Sequence, residues 1–398
     1  MSLPKPEVVS LGCRLNIAES ETIRGLIEGR DTVVVNSCAV TNEAVKQTRA
    51  AIRRAARARP GAELVVTGCA AEIDPAGFAA MPEVSRVVGN AAKLWPASWG
   101  APAAAAPTLF AGHARAFVEV QNGCDHSCTF CIIPQGRGAS RSSPAGAVID
   151  RVRALVEGGH QEVVLTGVDL TSYGPDLPGM PTLGLLVERI LHHVPALRRL
   201  RLSSLDSVEI DDRLFAIVTQ DERLMPHLHL SLQAGNDLIL KRMKRRHTRA
   251  QSVALVERLL AARPEIAIGA DLIAGFPTED AAMFADTLAL IADARIVHAH
   301  IFPFSPRTGT PAARMPQVAP EVRRERAGQL RAAAAAARRN WLASLVGTLQ
   351  AMLVERPGDR GHAPNFAAIA CTATVEPGTI RNVRITGVTD NSLIGSLI

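Results

Sequence analysis

The chain has 398 residues, 47% apolar and 21% charged, which excludes a mostly disordered protein and gives length for two or three domains with cores of their own. Lys and Arg exceed Asp and Glu by 44 to 38, a net charge of +6 that leans mildly toward a polyanionic partner. No apolar run follows a basic start in residues 1–16 and no stretch of about 20 residues is uniformly apolar, so a cytoplasmic protein without a membrane partner is expected, and seven cysteines are too few for a disulfide scaffold at this length.

Apolar, β-branched runs at 7–12, 33–37, 64–68 and 86–89 alternate with helix-like segments, predicting an N-terminal α/β domain with a mostly parallel sheet over 1–96. Small residues and three prolines without periodicity over 95–113 predict a linker, bounded at 97–113. Strands are then expected in AFVEVQ, EVVLTG, LRRLRLSS, HLHLSLQ, IAIGADLIAG and VHAHIFPF, with helices at 147–156, 182–194, 210–219, 249–262 and 278–292. These are six β/α units whose span falls short of the roughly 250 residues of a closed eight-unit barrel, so a partial (β/α)6 barrel within 114–340 is expected. A long Ala- and Arg-rich helix is predicted over 321–345. Short strands in LQAMLVE, NFAAIA and VRITGVTDNSLIGSLI predict a small all-β module over 341–398.

Cys124, Cys128 and Cys131 form a C-x3-C-x2-C loop directly after the first barrel strand, the end of a β/α barrel where active sites lie. Three thiolates can each hold one iron of a [4Fe-4S] cluster and leave the fourth iron open to an outside molecule. A zinc site completed by His126, or a fortuitous group of buried thiols, is the alternative. Cys13, Cys38 and Cys69 each follow a predicted strand. Ligands of an open parallel sheet bind beyond the carboxyl ends of its strands, so these thiols should converge and could hold a second three-ligand cluster; three unrelated buried thiols are the other reading. Cys371 is expected to be a packing residue.

Taken together these segments resemble the radical S-adenosylmethionine (SAM) methylthiotransferase family over nearly the whole chain. LGCRLN, VVNSCAVTNEA and VTGCAAE match its N-terminal domain, QNGCDHSCTFCIIP its radical SAM barrel, and GHAPNFAAI its C-terminal TRAM domain. LTGVDLTSYG, RLSSLDSVEI, LHLSLQAGNDLILKRMKRRHTR, DLIAGFPTE and HIFPFSPRTGTPAARMP match further segments. SLD-x-VEI, KRMKRRHTR and SPR-x-GTPAARMP look most like the branch acting on N6-threonylcarbamoyladenosine in tRNA; N6-isopentenyladenosine in tRNA and an aspartate of a ribosomal protein are the family's other substrates.

The resemblance implies two [4Fe-4S] clusters and two SAM molecules per product. At Cys124, Cys128 and Cys131 the open iron would bind SAM, whose cleavage gives a 5′-deoxyadenosyl radical that activates C2 of the adenine. At Cys13, Cys38 and Cys69 the auxiliary cluster would carry a sulfur, methylated by a first SAM and transferred to C2. The expected product is 2-methylthio-N6-threonylcarbamoyladenosine next to the anticodon, at tRNA position 37, with an electron donor such as flavodoxin or ferredoxin as a partner. SAM must lie at the turns after the barrel strands, which nominates Gly167, Asp169, Ser203, Ser204, Gln233, Asp271, Gly275 and the strand 300–303 beginning at His300; a turn glycine, a cap or a satisfied polar group is the plain alternative at each.

Lys46, Arg49, Arg53 and Arg57 recur at three- and four-residue steps along one face of a predicted helix, a stripe that can follow a phosphate backbone. Lys241, Arg242, Lys244, Arg245, Arg246 and Arg249 add six cations without an acid in the loop expected after the fourth barrel strand. Arg323, Arg324, Arg326, Arg331, Arg338 and Arg339 decorate the long helix, opposed nearby by Glu321 and Glu325, and could equally be a solvated face. Aromatic residues are only 4%, so the anticodon stem-loop should be recognised mainly through backbone and shape rather than by stacking many bases.

Overall fold

The computed structural model describes residues 6–102, 110 and 112–398. Residues 1–5 of the segment inspected for a leader, and 103–109 and 111 of the expected linker, lie outside the described residues.

In the N-terminal part, β1 (Glu7–Ser10), α1 (Arg14–Leu26), β2 (Thr32–Ser37), α2 (Asn42–Ala58), β3 (Glu63–Gly68), α3 (Cys69–Ile73), α4 (Pro75–Ala79) and β4 (Arg86–Val87) build a sheet of order β1-β2-β3-β4. Every pair in it is parallel. Successive residues of a strand point to opposite faces, so Val33, Val35, Leu64 and Val66 join one core with Ile52 and Phe78. Val34 and Val65 join another with Ile23 and Trp99. Cover on both faces is why β2 is buried at every position.

The central part follows as β5 (Ala116–Glu119), β6 (Gln121–Asn122), α5 (Ile133–Arg137), β7 (Arg141–Ser142), α6 (Ala145–Glu157), β8 (Glu162–Thr166), α7 (Leu183–His193) and β9 (Arg199–Leu202). It continues through β10 (Ser204–Leu205), α8 (Asp212–Gln220), β11 (His227–Gln233), α9 (Asp237–Met243), α10 (Arg249–Ala262), β12 (Ala267–Ala274), α11 (Ala281–Asp293) and β13 (Ile296–Pro303). Two parallel arcs, β5-β8-β9 and β10-β11-β12-β13, make the six-unit open barrel, and β6 pairs with β7 beside it.

Three local departures from expectation have local causes. The strand expected through 204 breaks at Ser203, whose amide donates to Leu165 O at 3.0 Å while Ser204 and Leu205 turn to pair with β11. The basic segment at 241–246 is not simply a loop, because α9 occupies its first part. Asn236 caps that helix, accepting from Leu238 N and Ile239 N, and Ile239, Leu240 and Met243 bury against Phe276 and Phe304. The helix expected from 278 starts at Ala281, since Thr278 has φ of 67° and Asp280 supplies the cap to Met283 N at 2.8 Å.

α12 (Pro320–Ser344) leads into a closed barrel of β14 (Leu349–Glu355), β15 (Arg360–His362), β16 (Ala368–Cys371), β17 (Ile380–Val388) and β18 (Leu393–Leu397), ordered β14-β15-β16-β18-β17. Met352, Val354, Ile369, Val383, Ile385 and Leu393 fill it with Leu342 of α12. β15 carries no apolar alternation to announce it and is a strand by backbone pairing to β14 and β16.

This small barrel docks on the N-terminal ends of the central strands. Glu162, the first residue of β8, is fully buried beside Arg201 at 2.7 Å, Arg115 at 3.0 Å and Arg199 at 3.7 Å. Against burial, which raises it, the charges of Arg201 and Arg115 hold its carboxyl at about 2. Arg201 also donates to Pro364 O at 2.8 Å and Ala363 O at 2.9 Å, and Arg199 donates to Ala351 O. Phe366, at φ of 67°, stacks on His362 and His227 with centroids 4.6 and 5.0 Å away. No helix among the described residues is long and apolar enough to cross a membrane.

Candidate active site

The register of the N-terminal sheet sets the first cysteine trio. Ser10 pairs with Asn36, Asn36 with Thr67, and Ser37 with Gly68, so the chain leaves β1, β2 and β3 at one edge and delivers Cys13, Cys38 and Cys69 there. Gly12 has φ of 98°, and a Cβ on it would stand 2.7 Å from Cys38 Cβ and 2.8 Å from its Sγ; only glycine lets the two segments pass this closely. The Asn16 amide donates to Leu11 O at 2.6 Å and Ser37 O at 3.0 Å, tying the start of α1 to the end of β2. Cys38 and Cys69 are buried. Cys13 is accessible to water. Burial, with help from the neighbouring thiols, raises Cys13 and pushes Cys38 up to about 11.

The second trio lies between β6 and α5. Its loop is held by Cys124 N to Gly138 O at 3.1 Å, Cys131 N to Cys128 O at 3.1 Å, and Thr129, which donates from its amide to Met243 O and from its hydroxyl to Arg242 O. Burial pushes Cys124 up to about 11 and Cys131 to about 12, and adjacent thiols add to it. Buried thiols gathered in this way ionise when a cation shares the site. Arg245 Nη1 stands 3.6 Å from Cys128 Sγ.

These residues fit an iron–sulfur cluster better than one zinc ion. Tetrahedral zinc with Zn–S near 2.3 Å would draw its sulfurs to about 3.8 Å from one another. Among the described residues, the metal-ligating groups whose ligand atoms all lie within 4.8 Å take in Cys124 with His126 and Asp169, but neither Cys128 nor Cys131. His126 is also committed elsewhere: its Nε2 lies 2.5 Å from Asp169 Oδ2, and that hydrogen bond raises its pKa and favours the imidazolium.

What the sequence did not single out is the buried charge network joining the two loops. α5 begins two residues after Cys131 and packs on α3, where a Cβ on Gly136 would meet Cys69 Cβ at 3.1 Å. At its end, Arg137 reaches Glu19 at 2.7 Å, Asn122 Oδ1 at 3.1 Å and Asn16 Oδ1 at 2.5 Å. Lys93 meets the same Glu19 at 2.6 Å, and both side chains are essentially inaccessible. Against burial, Lys93 and Arg137 hold the Glu19 carboxyl at about 2. A signal existed: Glu19 falls on the buried face of α1 with Leu15, Ala18 and Ile23, where an acid needs a partner.

The nominated pocket residues divide. Gly167 and Asp169 sit in a turn braced by Gln121 Oε1, which accepts from Val168 N at 3.0 Å and Asp169 N at 2.9 Å. Asp169 adjoins the second cysteine loop through His126 and takes a further bond from Ser172 at 2.7 Å. Ser203 is buried with its hydroxyl unpartnered among the described residues, Gln233 holds φ of 69° at a register shift in β11, and Ser204 opens β10. Asp271 is instead enclosed by His229 Nε2 at 3.0 Å and His300 Nδ1 at 3.2 Å, so these two nominees partner each other. Gly275 faces α12, where a Cβ would strike Arg323, which gives it a packing reason. A separate cavity of about 280 Å³, lined by Glu19, Glu119 and Ser143 among others, contains no cysteine.

The basic segments divide as well. Lys46, Arg53 and Arg57 are exposed on α2, Arg53 at 4.0 Å from Glu83, whereas the half-buried Arg49 pairs with Asp74 at 3.2 Å. In the second segment Lys241 and Lys244 are exposed, but the expectation of cations without an acid is corrected by the tertiary contacts. Arg245 and Arg246 reach Asp206 at 2.9 and 3.2 Å, Arg246 also reaches Glu209, Arg249 reaches Asp293, and Arg242 donates to Thr278. On α12, Arg323 donates to Phe304 O, Arg326 to Glu279, Arg338 to Asn391 O and Arg331, more weakly, to Ile301 O. Arg324 pairs with Glu321, and Arg339 is exposed.

Residues 118–291 match the radical SAM superfamily, and residues 5–89 match the uncharacterized protein family UPF0004. The chain is 45% identical to the threonylcarbamoyladenosine tRNA methylthiotransferase MtaB of Rickettsia prowazekii, over 96% of its own length and 95% of that protein's. It is 34% identical to the Bacillus subtilis protein of the same name, over 81% and 78%. It is also 34% identical to the tRNA-2-methylthio-N(6)-dimethylallyladenosine synthase of Erythrobacter litoralis, over 98% and 96%. Among solved structures, the radical S-adenosylmethionine methyltransferase TsrM of Kitasatospora setae superposes with a TM-score of 0.53 at 15% identity, covering 71% of this chain and 64% of that one, a likeness of fold alone.

Proposed function

The chain belongs to the radical SAM methylthiotransferase family, and from that premise we propose that it methylthiolates C2 of N6-threonylcarbamoyladenosine at position 37 of tRNA. The observation that carries the reading is the packing of α3 on α5, which brings the two cysteine loops against one another through Gly136 and Cys69. The 45% identical relative supports the choice of substrate.

Cys13, Cys38 and Cys69 would hold one [4Fe-4S] cluster and Cys124, Cys128 and Cys131 the other. When bound, the clusters and SAM supply one-electron cleavage of a sulfonium and a transferable methylated sulfur. The protein's own part is positional and electrostatic. Arg137 and Arg245 place fixed positive charge beside the two thiolate sets, Asp169 orients His126 next to Cys124, and Ser203, Ser204, Gln233 and the turn at Gly167 offer polar contacts to SAM. Lys46, Arg53, Arg57, Lys241 and Lys244 are exposed cations suited to the phosphates of the anticodon stem-loop. The electron comes from a small reductant such as flavodoxin or ferredoxin, and the place of action is the cytoplasm, where tRNA is.

Nucleoside mass spectrometry of tRNA from a deletion strain tests this. 2-Methylthio-N6-threonylcarbamoyladenosine should disappear and return on complementation. Its persistence, with loss of the isopentenyl counterpart instead, would move the substrate to the dimethylallyl branch.

A further inference from the structure

We propose that Arg14 is the receptor for the carboxylate that a threonylcarbamoyl group carries and an isopentenyl group lacks; this deepens the substrate reading above and rests on it. Arg14 is the first residue of α1 and directly follows Cys13. Its guanidinium carbon lies 5.6 Å from the centroid of Phe366, a ring also flanked by Arg115 at 5.3 Å and Arg201 at 5.1 Å.

The three guanidiniums differ in what balances them. Arg115 bonds Glu162 and Glu355, and Arg201 bonds Glu162 and two carbonyls. Arg14 has no carboxylate within 4.0 Å and no hydrogen-bond partner among the described residues, though it is partly buried. The nearby groups that could balance it are engaged: Asp271 by His229 and His300, Glu355 by Arg115 and His362. His227 and His298 are buried and neutral. A partly desolvated cation in this setting is costly until an anion joins it.

The geometry specifies what kind of anion. With the Phe366 ring stacked against His362 and His227, the Arg14 guanidinium lies beside it with none of its N–H groups given an acceptor among the described residues, and a guanidinium fork matches a carboxylate. Arg14 is also one residue from Cys13, whose cluster would carry the sulfur. In the substrate, C2 and the substituted C6 are separated only by N1, so a base presenting C2 to that sulfur brings its N6 substituent close by. A threonylcarbamoyl carboxylate would balance Arg14. An isopentenyl group would bury it unpaired, which is rejection by an unmet charge rather than by size.

The test uses the full chain with both clusters reconstituted and three anticodon stem-loops differing only at position 37: threonylcarbamoyl, its neutral carboxamide analogue, and isopentenyl. Wild type should bind the carboxylate loop roughly ten- to a hundredfold tighter than the carboxamide loop, the range for a hydrogen bond to a charged group. Arg14→Met should abolish that preference by weakening the carboxylate loop alone, and Arg14→Lys should keep part of it. No preference in wild type, a preference undiminished in Arg14→Met, or weakened SAM binding with the preference intact would each overturn the inference, the last by assigning Arg14 to the SAM carboxylate. Failure of the substrate reading looks different: wild type would leave the threonylcarbamoyl loop unmodified.

Discussion

Replacing Glu19 by Gln tests whether one buried carboxylate holds the two cysteine loops together. In the native chain its oxygens face Arg137 at 2.7 Å and Lys93 at 2.6 Å, and all three side chains are withdrawn from water. Gln keeps the shape and removes the charge, leaving two buried cations against a neutral amide. Removing one partner of a buried pair costs about 3–5 kcal/mol, and at about 2–4 °C per kcal/mol for a unit of 150–250 residues the first unfolding transition should fall by roughly 6–20 °C. The pH dependence has a definite sign. Glu19 is held at about 2 in the folded protein, below its ordinary 4.5, so its contribution is fully present above 4.5 and is lost as pH falls toward 2. The gap between wild type and Glu19→Gln should therefore be constant around neutrality and shrink in acid. Thermal unfolding at a series of pH values, with iron counted per chain, measures both effects. A gap under about 1 kcal/mol, or one that does not narrow in acid, would refute the argument that this carboxylate is a structural keystone.

Other substitutions separate the parts of the site. Cys69→Ala should end methylthiolation while 5′-deoxyadenosine is still formed, and Cys128→Ala should end both, as read by product and nucleoside assays run in parallel. Gly136→Val forces a side chain into the 3.1 Å approach to Cys69, so it should cost about 1–3 kcal/mol and lower iron loading more at the first trio than at the second. Lys46→Glu, Arg53→Glu and Arg57→Glu should each weaken tRNA binding and reduce its salt slope by about 1 for every phosphate no longer neutralised. Arg242→Gln, whose guanidinium is bonded inside the protein to Thr278, should leave that slope unchanged.

Much of the architecture is legible along the chain because its causes are local. Alternating apolar runs announce β2, β3 and the central strands, and the glycine and polar residues that end them announce the edge where the cysteines emerge. β15 escapes such a reading because it is polar and is made a strand by its neighbours. α9 escapes it because Lys241, Arg242 and Lys244 suggest a solvated loop, while Ile239, Leu240 and Met243 anchor a helix against Phe276 and Phe304. Ser203 escapes it because a change of hydrogen-bonding partner leaves no mark on apolar periodicity.

The amino-acid order alone determines the family, the order of the folding units and the choice of the six cysteines proposed as cluster ligands, since each of these depends on spacing over a few residues. Only the tertiary structure decides which charges are spent inside the protein and which remain for a partner. Arg137 finds Glu19 across 118 positions and Arg245 finds Cys128 across 117. Arg14 reaches within 5.6 Å of the Phe366 centroid from the opposite end of the chain and has no carboxylate within 4.0 Å among the described residues. A charge chooses its partner by distance and solvation, which neither composition nor spacing encodes.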